Sequence, residues 1–166
     1  MAMTESDALD FLTRHQPLPS DDLLTDDVID AYDAVRQFFF EHPNEACVPL
    51  FLHSFGEGSG LGVYQLIEDT LQVHDDEVVT SALLTSLRAS EPSVRYWSAQ
   101  IAQNYRDMRL RDPLIELLRD ARPGIRAAAI IALWQQGNPK DRAFIRTLSH
   151  TETDEEVLDT IDMLEG

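Results

Sequence analysis

One cysteine, Cys47, stands in the whole chain. No intrachain disulfide can therefore form, and a four-thiolate metal site is excluded. With Val48 and Leu50 beside it, Cys47 reads as a small buried hydrophobe. No apolar run approaches the ~20 residues that a membrane-spanning helix needs. Residues 1–10 carry neither a basic stretch nor an apolar one of the kind that opens a secretory signal, so the expected setting is the cytoplasm. Catalytic motifs are missing as well. There is no Gly-x-Ser-x-Gly elbow and no Gly-Lys-Ser/Thr phosphate loop. The one glycine-rich run, residues 56–60, lacks a following lysine and is expected to be a flexible linker. No segment alternates with period two over the length of a strand, which leaves an all-α reading.

Basic residues are scarce, and unevenly so. Residues 1–81 hold two against seventeen acids, residues 82–146 eleven against six, and residues 147–166 none against seven, for a net charge of −17. A field of this sign repels nucleic acid phosphates and anionic membranes and attracts cationic proteins. A mildly basic middle between two acidic ends is the expected surface.

What is present is a repeat. The run from Leu87 through Pro92, Val94 and Arg95 returns thirty-one residues later from Leu118 through Pro123, Ile125 and Arg126. The same step aligns Leu52, Leu83, Leu114 and Ile145, then Phe55, Ser86, Leu117 and Leu148, then Leu71, Ala102, Leu133 and Leu164. A period of about 20–50 residues marks stacked supersecondary units rather than one globular core. Within each unit the apolar residues recur at three and four, so each reads as a helical hairpin. The boundaries expected are a helical cap over residues 1–43, with helices at 5–14 and 26–41, then units at 44–74, 75–105, 111–137 and 139–165. Pro92, Pro123 and Pro139 suit first helical positions, where the missing N–H is harmless, and Gly137 suits a left-handed helix end.

The stretch Leu118, Asp120, Pro123, Ile125-Arg126, Ala128-Ala129, Ala132-Leu133, Gly137 resembles a HEAT-like repeat. Residues 87–102 match it less fully, with Ala89 where the aspartate should stand. The resemblance implies a short α-solenoid of about four hairpins whose second helices line the concave face. Independently of it, a basic residue after the aliphatic one, Arg95 or Arg126, has the length to reach an aspartate or helix C-terminus of a neighbouring unit.

No cofactor is implied and no metal set stands out. His74-Asp75-Asp76-Glu77 is the most site-like cluster, but consecutive residues point apart, and Asp75 or Asp76 is expected to cap a helix. Asp26, Asp30 and Asp33, at i, i+4 and i+7, put three acids on one helix face at a repulsive cost of roughly 0.2–0.5 kcal/mol per pair. With Glu68, Asp69, Asp75 and Asp76 they are the candidate partner-binding residues, and Asp21 and Asp22 thicken the patch. Size, acidity and the lack of a catalytic constellation point to a non-enzymatic protein-binding module. The finer expectation, drawn by analogy with short acidic HEAT-like proteins, is a bacterial immunity protein that neutralises a basic, nuclease-type toxin domain. A scaffold or adaptor is the alternative, and a HEAT-like lyase or hydroxylase a more distant one.

Overall fold

The computed structural model describes residues 2–166, and every regular element among them is helical. The helices are α1 (Glu5–Arg14), α2 (Asp26–Glu41), α3 (Cys47–Leu52), α4 (Tyr64–Gln72), α5 (Asp76–Ser86), α6 (Pro92–Ala102), α7 (Arg111–Leu117), α8 (Pro123–Gln136), α9 (Pro139–Leu148) and α10 (Glu155–Glu165). A 3-10 turn at Met108–Leu110 leads into α7.

Local chemistry sets these limits. Thr4 and Asp7 form a reciprocal capping box on α1, and the Thr25 hydroxyl caps α2. Pro92, Pro123 and Pro139 each open a helix, and Gly137 closes α8 at φ 81° in the left-handed region. Asp75 occupies the N-cap of α5, but its side chain makes no capping bond, so neither it nor Asp76 caps that helix as expected.

First helices stack on first helices: α1 on α3, α3 on α5, and α5 on the turn leading into α7. Second helices form the other row, with α2 on α4, α6 on α8 and α8 on α10. Helices α1 and α2 join both rows, so residues 5–41 stack as a further hairpin. This is a short α-solenoid, and its core follows the thirty-one-residue register. Leu52, Leu83, Leu114 and Ile145 are all fully buried, as are Leu71, Ala102 and Leu133. The polar member of the register, Ser86, is also buried and accepts a 2.8 Å bond from the Ser98 hydroxyl.

The core changes character along the array. Its first half is aromatic: Tyr32 meets Phe51 and Tyr64 edge-on, Phe39 meets Phe51, and Phe55 stacks on Trp97 with ring centres 5.6 Å apart. The second half is built on Ala127, Ala128, Ala129, Ile130 and Ala132, all buried on α8. Small side chains let α8 lie close against both α6 and α10.

Candidate functional site

The repeat motif's charged residues hold the stack together. Arg95 donates through Nε to Asp120 at 2.8 Å and through Nη1 to the carbonyls of Ala89 and Ser90. One unit on, Arg126 grips Glu152 with two bonds of 3.0 and 2.9 Å and donates to the Asp120 carbonyl. Each arginine thus joins the turn of its own hairpin to the next hairpin; Arg95 meets an aspartate there as expected, while Arg126 meets the glutamate Glu152. Val94 and Ile125 beside them are buried. The ladder ends at the first unit, where Tyr64 occupies the arginine's register position and its hydroxyl accepts from the Gly56 N–H at 2.9 Å. Burial pushes the Tyr64 hydroxyl up to about 12.

Most arginines of the expected basic middle are paired rather than free, with Arg106, Arg119 and Lys140 exposed and outside any ion pair among the described residues. Arg88, Arg95, Arg109, Arg111, Arg122, Arg126 and Arg146 all lie in ion pairs, and Arg142 donates to the Trp134 carbonyl. Several of the partners, including Glu57, Glu77 and Glu152, come from the acidic flanks. Arginine neighbours hold the Glu77, Glu116 and Glu152 carboxyls below their ordinary range, and Asp107, bonded to Arg109, falls to about 2.

The acids of the first half are mostly left over. Among the described residues, only Asp33, Glu57 and Glu77 of the seventeen have a basic partner. On α2, Asp26 and Asp30 are exposed and unpaired, whereas Asp33 binds Arg36 Nε at 2.6 Å and Gln37 at 2.7 Å. Asp69, Asp75 and Asp76 are exposed. Asp21 belongs to no patch: its carboxylate accepts from the Ser59 and Gly60 N–H groups at 2.9 and 2.8 Å.

That contact also corrects the reading of residues 56–60 as a flexible linker. The loop is bound from three sides. Asp21 N–H donates to the Glu57 carbonyl, Trp97 Nε1–H to the Gly58 carbonyl, and Arg122 to the Glu57 carboxylate. Gly58, at φ 107°, has no room for a Cβ, which would overlap the Asp21 carboxylate. Glycine here allows close approach rather than movement.

The His74-Asp75-Asp76-Glu77 run is dispersed. His74 is buried, with Nδ1 3.1 Å from the Thr70 carbonyl and Nε2 3.8 Å from Cys47 Sγ. Glu77 instead reaches Arg109. Spacing along one helix could not reveal the Cys47–His74 contact, because it joins α3 to the end of α4. Burial pushes the Cys47 thiol up to about 12, so at neutral pH it is a thiol and a poor nucleophile.

Two clefts lie along the row of second helices, sharing Tyr96 and Trp97. One, of about 260 Å³, sits between the residue 56–58 loop and the start of α8, bridged by the Arg122–Glu57 pair. The other, of about 370 Å³, separates α4 from α6 and is lined by Tyr64, Gln65, Glu68, Gln100, Gln103 and Asn104 among others. These two helices pack less closely than the other neighbours in their row. Tyr64 and Trp97, with ring centres 5.7 Å apart, stand between them, where the α6–α8 junction has alanines. Glu68 stands at this cleft, and Asp69 beside it is exposed to solvent.

Stacked hairpins, a register of buried aliphatic residues and an arginine–carboxylate ladder define the class as an α-helical repeat protein built for extended surfaces. The family is equally plain: a model of HEAT repeats matches residues 61–165, and the chain belongs to that family. No curated protein and no solved structure matches it. No helix among the described residues is long and apolar enough to cross a membrane.

Proposed function

We propose that this chain is a non-catalytic protein-binding module, and more specifically an acidic immunity protein that neutralises a basic, nuclease-type toxin domain. The observation that carries the reading is the distribution of paired and unpaired charge. The ladder and its neighbours use most of the arginines, while the acids of α1, α2 and α4 other than Asp33 have no cation of their own. An unbalanced field of this kind accelerates encounter with a cationic protein and competes with phosphate for its surface. The buried, un-ionised Cys47 thiol supports a binding role over a nucleophilic one.

The test begins with the gene directly upstream, whose product, purified as a basic protein, is the candidate partner. Association is then followed by stopped flow at several salt concentrations. Replacing Asp26 and Asp30 by Asn, with Asp33 left to hold Arg36, is expected to slow association about threefold to tenfold and to flatten its salt dependence. An association rate that ignores both salt and the two substitutions overturns the acidic-surface reading.

A further inference from the structure

Glu68 differs from the other carboxylates that face a neighbouring hairpin. Those of Asp120, Asp141 and Glu152 each meet an arginine. Glu68 has only amides: Asn104 Nδ2 at 2.7 Å and Gln72 Nε2 at 3.1 Å, both donating to Oε1. Oε2 has no hydrogen-bond partner, and no cation lies within ion-pair distance among the described residues. The group is half-buried at the edge of the α4–α6 cleft. Loss of water and the nearby Asp69 charge raise its pKa, the mark of a carboxylate lacking a counter-ion. The rest of the cleft suits a long cationic side chain. Partly exposed Tyr96 and Trp97 offer the aromatic surface on which a guanidinium stacks. Gln65 and Gln103 supply amides for the accompanying backbone.

We propose that the cleft between α4 and α6 receives an arginine side chain of a basic partner protein, with Glu68 Oε2 as its counter-ion and Trp97 as its stacking face. This deepens the reading of the chain as a module for basic proteins and rests on it. The occupant follows from charge complementarity: a carboxylate with one oxygen free, in a cleft whose lining contains no lysine or arginine, on a chain of net charge −17. A carboxylate–guanidinium pair formed there replaces water with a bond between two opposite charges, whereas the amides of Asn104 and Gln72 bring Glu68 no counter-charge.

The probes are Nα-acetyl-arginine amide and its neutral isostere Nα-acetyl-citrulline amide, titrated into the ¹⁵N-labelled full chain. The Trp97 indole N–H and the Asn104 side-chain amide are followed by NMR. The arginine probe is expected to shift both signals saturably, the citrulline probe to bind at least about tenfold more weakly, and Glu68→Gln to cost at least about tenfold in affinity for arginine. Glu68→Gln keeps an oxygen for Asn104 and Gln72, and circular dichroism checks that it folds. Equal binding of citrulline, wild-type affinity in Glu68→Gln, or shifts that spread without saturation over all the acidic surface would each overturn the proposal. The two readings fail separately. Salt-sensitive binding of a basic protein without any arginine-probe response at Trp97 defeats this site alone. A saturable arginine site on a chain that captures no basic protein defeats the module reading alone.

Discussion

Between the second and third hairpins of the repeat, α6 and α8 meet across alanines and are tied by Arg95 to Asp120. One step earlier, α4 and α6 meet across Tyr64 and Trp97, and no ion pair joins them. The same thirty-one-residue step produces both junctions, yet one is closed and the other open. Small residues bring helix axes together, and the arginine then finds its acceptors within reach. Large rings hold the axes apart, leave a cleft, and strand Glu68 without a cation. Stacking and partner binding draw on the same side chains, so a junction that is fully bonded to itself offers little to a partner.

The closed junctions are where a single substitution does most damage. Arg126→Ala leaves the Glu152 carboxylate, 14% exposed at its side chain, with only the Thr153 and Asp154 N–H groups as donors and removes the side-chain donor of the Asp120 and Ala121 carbonyls. It is expected to lower stability by about 2–3 kcal/mol, read as a shift of the urea midpoint with unchanged slope. A loss near zero would mean that the ladder is ornamental and the alanine packing alone closes the junction.

The next effect belongs to the glycine loop, which sides with the closed junctions although its composition suggested otherwise. Asp21→Ala removes the acceptor for two loop N–H groups and is expected to destabilise by about 1–2 kcal/mol. It should also speed hydrogen exchange at Ser59 and Gly60. Asp26→Ala, an exposed acid a few residues on, should stay within about 0.5 kcal/mol of wild type. Equal losses at the two positions would put Asp21 back among the surface acids.

The contrast between these two aspartates marks what the sequence could reveal. Helix limits, the buried register and the reach of Arg95 and Arg126 were legible, because they depend on local periodicity and on a motif that recurs. The placement of Asp21 depends on a contact thirty-nine residues away, and that of His74 on one twenty-seven residues away; no spacing rule encodes either. The pairing within the basic middle was out of reach for a related reason. Net charge by segment ignores pairing, and Arg109 and Arg122 neutralise acids thirty-two and sixty-five residues upstream. Glu68 was legible as a carboxylate on a second helix, but its lack of a counter-ion required knowing that the junction beside it stays open.

The smallest effect separates the two kinds of carboxylate by the sign of their response to pH. Glu152, bonded to Arg126, has a folded pKa below its ordinary value. Its contribution is present above the unfolded pKa and is lost as pH falls through the folded one. Glu68 is raised, chiefly by desolvation, so between its unfolded and folded pKa the native state binds more protons than the unfolded state. Ionised Glu68 therefore costs stability near neutral pH, and that cost disappears as pH falls through its raised pKa. Glu68→Gln should accordingly be more stable than wild type at neutral pH, by about 0.5 kcal/mol or less because the site is partly open to solvent. The advantage should vanish in acid, as urea titrations at the two pH values would register. An arginine ligand in the cleft should cancel the same advantage at neutral pH by supplying the missing counter-ion. If the substitution instead destabilises at neutral pH, Glu68 belongs with Glu152 as a stacking residue and the two junctions are alike after all.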